Sequence, residues 1–275
     1  MDAPGLSLII SFYNKLDNLR LILTSLQHQS FSDFEVIIAD DGSSVEVTRE
    51  LEDIINNANI PIRHVWHEDM GWRKNIILNN SIVASHSDYL VFIDGDCILH
   101  PRCLDEHYRH RRRKWIIAGR RVNLSPSLSA GLTPQKVKRG RLWGSSMIKM
   151  AYDSFRHENT HFENAIYIRN PFIRSRINKK DKGVLGSHFS LFKDDIMAVN
   201  GFDERFIHPA VGEDTDLELR LRRNGMKVQT LKHIAIQYHI YHKILPREES
   251  NLRIMEENNR QGVIYTPHGI RKYDP

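Results

Sequence analysis

Short apolar runs alternate with segments of helical spacing through residues 6–97, and this alternation restricts the fold more than any other feature. The apolar runs cover residues 6–11, 34–39, 60–66 and 89–93, and the helix-like segments cover 17–26, 44–57 and 71–85. Strand and helix in strict alternation are typical of a parallel sheet with helical crossovers. The sequence therefore predicts an α/β fold.

The predicted strands end in polar and acidic residues. These ends are Ser11–Asn14, Asp40-Asp41 and Asp94-Gly95-Asp96. Because the carboxyl ends of parallel strands form the edge where α/β proteins bind ligands, we expect a binding crevice there. Two neighbouring carboxylates repel each other unless a hard cation or hydrogen-bond donors compensate them. Taken alone, Asp94-Gly95-Asp96 is more typical of a polar turn than of a ligand site, but three such strand ends favour a site.

The bulk composition predicts one large, soluble cytoplasmic domain. At 275 residues the chain can bury a full core, and its charged fraction of 27% is ordinary for globular proteins. The two cysteines, Cys97 and Cys103, show no metal-binding spacing, which favours a reducing compartment without disulfides. No apolar run reaches the ~20 residues that cross a bilayer, and a signal-peptide pattern is absent at the N-terminus.

The formal net charge of +5 is concentrated in three basic segments. Such segments could contact anionic lipid at the inner face of the cell membrane, an acidic polymer or phosphate groups. Most charge runs are simply solvated surfaces, and that alternative stays open. A vesicle-binding assay without dependence on anionic lipid would contradict the membrane contact. The segments are Arg109–Arg121, Lys136–Arg141 and Lys179–Lys182.

Several ordered motifs resemble a known enzyme family. Residues 7–14, 27–43 and 94–96 are similar to the nucleotide-binding half of inverting family 2 glycosyltransferases of the GT-A fold. Residues 201–206 and 212–225 resemble the acceptor-side block of its galactosyltransferase-like members. The resemblance implies a Rossmann-like, mostly parallel sheet flanked by helices, in a single large domain with nucleotide-binding and acceptor-binding halves.

The resemblance also suggests boundaries along the chain. Residues 1–122 would be the nucleotide-sugar-binding half, and residues 186–244 the acceptor-side half with the catalytic base. Between them, residues 123–185 lose the alternating pattern to Ser, Pro, Gly and basic residues, which predicts variable loops or a lid. Residues 245–275 would form a C-terminal arm or an oligomer contact, helical over 248–259.

For the donor, the resemblance implies five binding residues, of which Asp94 is also assigned to the metal. Asp41 would accept the imide proton of uracil, Tyr13 would lie beside the ring, and Ser11 near the ribose or the base. Arg73 would reach the diphosphate or the ribose, although an exposed arginine at a helix start explains it equally well.

The resemblance further implies a divalent cation, Mn²⁺ or Mg²⁺. Asp96 would hold the ion against the diphosphate, and Asp94 would lie by the ribose and the metal. A histidine after the predicted strand 228–236 would complete the site, and we expect His239 in preference to His242. The chain contains 15 histidines, so a histidine without a metal role remains the alternative for either one.

Glu213 and Asp214 begin a predicted helix that has a basic last turn and ends at Gly225. Helix stability alone explains acids at this end. The resemblance implies that Asp214 is the catalytic base, since inverting transfer needs one carboxylate to deprotonate the acceptor hydroxyl. Glu213 would contact the acceptor or the donor sugar. The predicted strand 187–192, in which polar and aromatic residues alternate, would place His188 at the sugar as well, although a packed internal strand explains this segment equally well.

Together these features predict a metal-dependent inverting glycosyltransferase that moves a sugar from a UDP-sugar to a glycan or glycolipid hydroxyl in surface polysaccharide synthesis. A sugar-phosphate nucleotidyltransferase is one alternative, but residues 6–14 lack the glycine-rich phosphate loop expected of it. A non-enzymatic protein that binds carbohydrate or nucleic acid is another, and it leaves the ordered acids unexplained. We expect no nucleic-acid partner.

Overall fold

The computed structural model describes residues 3–243, 246 and 248–272. The strands are β1 (Leu6–Phe12), β2 (Phe34–Asp40), β3 (Ile62–Trp66), β4 (Tyr89–Asp94), β5 (Cys97–Leu99), β6 (Trp115–Ala118), β7 (Arg120–Asn123), β8 (His188–Phe192), β9 (Lys227–Thr230) and β10 (Ile236–His239). The helices are α1 (Leu16–Leu26), α2 (Val45–Asn56), α3 (Lys74–Ala84), α4 (Cys103–Arg109), α5 (Pro126–Ala130), α6 (Pro134–Lys138), α7 (Ser146–Phe155), α8 (Pro171–Ile177), α9 (Lys193–Met197), α10 (Glu213–Arg223) and α11 (Glu249–Arg260).

The larger sheet has seven strands in the order β3-β2-β1-β4-β8-β6-β9. The first four are mutually parallel, and β8 runs antiparallel to β4 and to β6. In this register Ser11 lies opposite Asp94, so the polar ends of β1 and β4 meet at one edge. The predicted mostly parallel α/β sheet flanked by helices is confirmed.

Alternating side chains of the strands bury two apolar layers. Leu8 and Ile10 of β1 point to the layer with α1 and α2, whereas Ile9 points to the layer with α3 and α10. Burying each such side chain stabilises the fold by about 1.5–3 kcal/mol relative to exposure. The strand ends that carry the polar residues are therefore held on a rigid frame.

The single strand that the sequence predicts over 228–236 is replaced by two strands: β9 belongs to the larger sheet, and β10 belongs to a second sheet of three strands in the order β5-β10-β7. β9 ends at Thr230, the chain turns through His233 at a φ of 63°, and β10 then enters the smaller sheet. The predicted strand is wrong because apolar residues continue through the turn. The pairing of β10 with β5 sets His239 opposite Cys97, next to Asp96.

The region predicted as loops, residues 123–185, contains four short helices and a 3-10 helix at Phe162–Ala165. Three of the helices begin with a capping side chain followed by proline at the first helical position, namely Ser125, Thr133 and Asn170. Ser, Thr or Asn before Pro can begin a helix as well as mark a loop, which explains why the sequence predicts loops where the structure has short helices. The helix predicted over 17–26 is α1, which begins one residue earlier at Leu16 and carries Asp17 in its first turn.

The C-terminal helix α11 packs against α10 on the body of the protein. The side-chain amide of Asn251 donates to the carbonyl oxygens of His208 and Val211 at 2.7 and 3.0 Å. The amide of Asn258 donates to the Asp216 carboxylate at 2.8 Å. Part of the predicted arm, residues 245, 247 and 273–275, lies outside the described residues, as does residue 244 of the predicted acceptor-side half.

The first basic segment stacks three guanidinium groups on neighbouring rings: Arg111 on Tyr108, Arg112 on Trp115 and Arg113 on Phe192. These contacts give the segment partners within the chain, and its contact with a membrane stays a prediction. Across the described residues, none of the helices combines the length and the apolar character that a bilayer crossing requires.

The fully buried Arg220 of α10 stabilises the fold through an ion pair and two hydrogen bonds. Its guanidinium contacts the Asp216 carboxylate at 2.7 Å and donates to the carbonyl oxygens of Val199 and Gly201 at 2.9 Å each. We expect Arg220→Met to lower the free energy of unfolding by about 3–5 kcal/mol, because it leaves a buried carboxylate unpaired.

Urea unfolding of wild type and variant measures this difference. Arg222→Met is the matched control, since Arg222 on the same helix pairs with Asp181 and Glu218 at the surface and should cost about 0–1 kcal/mol. Equal losses in the two variants would contradict the role given to the buried pair.

Candidate active site

A crevice at the carboxyl ends of β1, β2 and β4 consists of two adjoining cavities of about 570 and 670 Å³. Both are lined by Trp72, Lys74, Asp94 and His242. The first cavity is also lined by Ser11, Tyr13, Asp41 and Asp96. The second is also lined by Arg121, Ser187, Glu213, Asp214 and His239. The structure thus gathers most of the predicted site residues around one opening.

Asp94 stands between the two cavities and is held by Ser11 and Lys74. Its Oδ1 accepts from Ser11 Oγ at 3.0 Å and from Lys74 Nζ at 2.6 Å. Burial opposes ionisation of Asp94, but Lys74 and Ser11 outweigh it and hold the pKa below its usual range. Burial likewise opposes the charge on Lys74, while Asp94 and Glu213 raise its pKa overall. Lys74 has no predicted role, since its sequence context shows only a polar helix start.

A glycine at position 95 allows this approach of β4 to β1. A Cβ atom there would lie 2.5 Å from the carbonyl oxygen of Ser11, which is closer than real contacts allow. The glycine in Asp94-Gly95-Asp96 therefore serves the backbone of the crevice itself.

Asp41 lies in the first cavity, where His67 Nε2 contacts its Oδ1 at 2.8 Å and the amide of Arg73 donates to its Oδ2 at 2.9 Å. Burial raises the pKa of Asp41 above its usual value. The guanidinium of Arg73 donates to the carbonyl oxygen of Trp72 at 2.9 Å and does not line either cavity. Tyr13 is half exposed, and its hydroxyl donates to Asp69 at 3.1 Å.

A carboxylate and two imidazoles converge beside Asp94. His239 Nε2 lies 3.5 Å from Asp96 Oδ1, and His242 Nε2 lies 3.3 Å from Asp96 Oδ2. Burial lowers the pKa of His239, which keeps the neutral form that binds metal. This donor set fits a divalent first-row metal ion. Both histidines considered from the sequence join the cluster, whereas Asp94 lies outside it.

Backbone pairing fixes the same cluster. His239 ends β10 opposite Cys97 of β5, and the amide of Ile240 donates to the carbonyl oxygen of Asp96 at 2.9 Å. The sequence signal for this arrangement is weak, because β10 is only four residues long and its partner strand is 137 positions earlier (236 − 99).

Glu213 and Asp214 begin α10 directly after Gly212, whose φ is 101°. The Asp214 carboxylate accepts from the amides of Gly186 and Thr215 at 3.0 and 2.8 Å, which orients it in the second cavity. A Cβ at position 186 would lie 2.7 Å from Asp214 Cβ, so this approach requires glycine. Glu213 Oε2 is buried and has no hydrogen-bond partner in the part of the chain that the structure describes, and burial raises the pKa of this carboxyl.

The structure corrects the position predicted for His188. Its side chain is fully buried beneath the crevice, where Nε2 lies 3.3 Å from Cys103 Sγ and 3.0 Å from His107 Nε2. The neighbouring Ser187 lines the second cavity instead. Successive strand residues point to opposite faces, and the sequence did not indicate which of the two faces the opening.

Comparisons with known proteins agree with this geometry. Residues 7–197 match the family model described as glycosyl transferase family 2, and residues 172–243 match the one described as N-terminal domain of galactosyltransferase. The chain is 26% identical over 252 residues to chondroitin synthase from Escherichia coli, covering 86% of this chain and 34% of that protein. It thus spans about a third of the length of the first curated relatives it matches.

Two solved structures share the fold. GalNAc-T7 with UDP, GalNAc and Mn²⁺ matches with a TM-score of 0.63 at 13% identity, covering 93% of this chain and 48% of that one. A mannosyltransferase from Pyrobaculum calidifontis with GDP-Man and Mn²⁺ gives a TM-score of 0.57 at 13% identity, covering 93% and 61%. At this identity the likeness shows the GT-A fold alone. The family match covers more than half of the sequence and includes Asp41, Asp94 and Asp96 of the crevice, and the chain therefore belongs to glycosyl transferase family 2.

Proposed function

We propose that this chain is a metal-dependent inverting glycosyltransferase that moves a sugar from a UDP-sugar to a hydroxyl of a glycan or lipid-linked glycan. The main support is the joint position of Asp214 and the cluster of Asp96, His239 and His242 along one crevice. An oriented carboxylate and a metal-binding set are the two groups that this reaction needs on opposite sides of the anomeric carbon.

In the proposed donor complex the nucleotide occupies the first cavity. Asp41, with backbone and imidazole donors already on its oxygens, accepts the uracil imide proton through a remaining lone pair. Tyr13 lies beside the base, and Ser11 and Asp94 face the ribose. The solved neighbours that contain UDP or GDP-Man support a nucleotide-sugar donor, and the acid at position 41 favours uracil.

The diphosphate lies between Lys74 and the Asp96, His239 and His242 cluster. A bound Mn²⁺ or Mg²⁺ ion there would neutralise the charge that develops on the leaving nucleoside diphosphate. Lys74 adds a partly buried positive charge on the other side, in place of the predicted Arg73.

The acceptor occupies the second cavity. Asp214 removes the proton of the attacking hydroxyl while the amides of Gly186 and Thr215 hold its carboxylate in place. Glu213, with an unpaired buried oxygen, binds a hydroxyl of the acceptor or the donor sugar. The similarity to chondroitin synthase supports a polymeric glycan acceptor and a role in surface polysaccharide synthesis.

A panel of UDP-, GDP- and CDP-sugars tests the donor. Isothermal titration in the presence of Mn²⁺ should detect binding of a UDP-sugar, and EDTA should abolish it. We expect Asp41→Asn to weaken UDP-sugar binding by about 10-fold or more, because the amide nitrogen cannot accept the imide proton.

Asp53→Asn is the matched control for Asp41→Asn, since this exposed acid in α2 lies outside the lining of both cavities. Preference for a GDP-sugar, or unchanged UDP binding by Asp41→Asn, would contradict the assignment of uracil to this cavity. Absence of binding by every nucleotide sugar would contradict the proposed function.

A further inference from the structure

A second group of potential metal ligands lies beneath the crevice, away from Asp96. Cys103 and His107 stand one turn apart on α4, and His188 begins β8 behind them. All three side chains are fully buried, and one potential ligand atom from each lies within 4.8 Å of the others. Neither cavity of the crevice is lined by them.

Hydrogen bonds determine which nitrogen of His107 carries its proton. The hydroxyl of Tyr89 donates to the carbonyl oxygen of His107 at 3.3 Å, so it accepts from Ser190 Oγ at 2.6 Å. Ser190 Oγ in turn accepts from His107 Nδ1 at 2.7 Å. His107 is therefore protonated at Nδ1, and the lone pair of its Nε2 points at His188.

His188 is incompletely satisfied without a cation. If its Nε2 is unprotonated, it faces the lone pair of His107 Nε2 at 3.0 Å. If its Nε2 is protonated, its Nδ1 is a buried acceptor, and Nδ1 has no partner among the described residues. The hydroxyl of Tyr238 is likewise buried without a partner, and its pKa is raised by burial and then by Cys103. A positive ion at the convergence of these groups removes the conflict.

The spacing fits tetrahedral zinc. Zn–N bonds of about 2.0–2.1 Å and a Zn–S bond of about 2.3 Å place two nitrogen ligands roughly 3.3 Å apart, and nitrogen and sulfur roughly 3.6 Å apart. The observed separations are 3.0 Å between the two Nε2 atoms and 3.3 Å from His188 Nε2 to Cys103 Sγ. One thiolate with two neutral imidazoles is a donor set that zinc prefers.

We infer that Cys103, His107 and His188 form a buried zinc site that is separate from the metal site of the crevice. Cys103 binds as the thiolate and releases its proton when zinc enters. Three protein ligands leave a fourth position for water or for the Tyr238 hydroxyl. Gly119 provides the space, because a Cβ there would overlap the imidazole of His188.

The site has a structural role in this position. It joins α4, which follows the Asp96 loop through β5, to β8, whose preceding residue Ser187 lines the second cavity. Zinc would thus connect the segment behind the metal cluster of the crevice with the segment behind its acceptor side.

Metal analysis of the purified full chain tests this inference. After growth with added zinc and dialysis against EDTA, mass spectrometry should find about one zinc ion per chain. Cys103→Ala and His188→Gln should each reduce this content to near zero. Cys97→Ala, which removes the other buried thiol, and Asp96→Ala, which removes a ligand of the crevice, should retain it.

Cobalt substitution of the wild-type chain tests for the zinc site even if a variant fails to fold. Co²⁺ at this site should give a near-ultraviolet thiolate charge-transfer band and the visible bands of four-coordinate cobalt. A stable wild-type chain without zinc and without the thiolate band would overturn the inference. Zinc lost from Asp96→Ala but kept in Cys103→Ala would do the same, since the ion would then occupy the crevice. Neither readout depends on glycosyl transfer, so its outcome is independent of the proposed function.

Discussion

Asp214→Asn should lower kcat by about 10²–10⁴-fold while the affinity for the donor stays unchanged. The carboxamide oxygen can still accept from the Gly186 amide, so the side chain keeps its place, but it no longer takes a proton from the acceptor. Steady-state transfer rates and donor titrations of the same preparations measure the two quantities separately.

Two further variants test whether the effect is specific to Asp214. Asp181→Asn is the matched control, because Asp181 is a half-exposed acid that pairs with Arg222 outside the crevice, and its transfer rate should equal that of wild type. Glu213→Gln should raise KM for the acceptor more than it lowers kcat. If Glu213→Gln instead abolishes turnover and Asp214→Asn does not, the base is Glu213.

Asp96→Ala should reduce the transfer rate by about 10³-fold and remove its stimulation by Mn²⁺. The substitution deletes the carboxylate that contacts both imidazoles of the cluster, and in the proposed mechanism an ion held there would supply several kcal/mol of charge stabilisation to the leaving diphosphate. Transfer rates across a Mn²⁺ titration, together with Mn²⁺ binding followed by electron paramagnetic resonance, measure the effect.

Asp194→Ala is the control for this substitution, since Asp194 is a largely exposed acid paired with Arg113 far from the cluster in sequence. His239→Ala and His242→Ala should each weaken Mn²⁺ binding less than Asp96→Ala does, because the carboxylate supplies the negative charge. An unchanged Mn²⁺ dependence in Asp96→Ala would exclude this cluster as the metal site.

The sequence was sufficient for the parts of the fold that local patterns determine. β1, β2 and β4 are apolar runs buried on both faces, and each ends at a polar group that the structure brings to the crevice. Parallel pairing of such runs follows from the helices between them. The predicted family and fold are confirmed for these reasons.

Features that depend on distant pairing could not be predicted in this way. The smaller sheet pairs β10 with strands far away in the sequence, and nothing local separates β10 from the apolar residues that precede it. Lys74 lines the crevice and its neighbour Arg73 does not, and nothing in the sequence separates these two adjacent residues at a helix start. The burial of His188 likewise depends on a shift of one residue along β8. The same register brings His188 to Cys103 and His107, which the spacing of the cysteines alone did not indicate.

The position of β10 would give the two proposed metal sites different thermodynamic characters. Asp96 and His239 are brought together by main-chain hydrogen bonds between β5 and β10, so the conformational entropy that they lose is lost when the chain folds rather than when an ion binds. An ion in the crevice would therefore exchange with solvent and nucleotide without unfolding the strands that hold it. The zinc ion proposed between α4 and β8 would instead join two elements through their side chains, so its binding free energy would be part of the free energy of folding. Under these two proposals one metal takes part in the reaction and the other stabilises the fold.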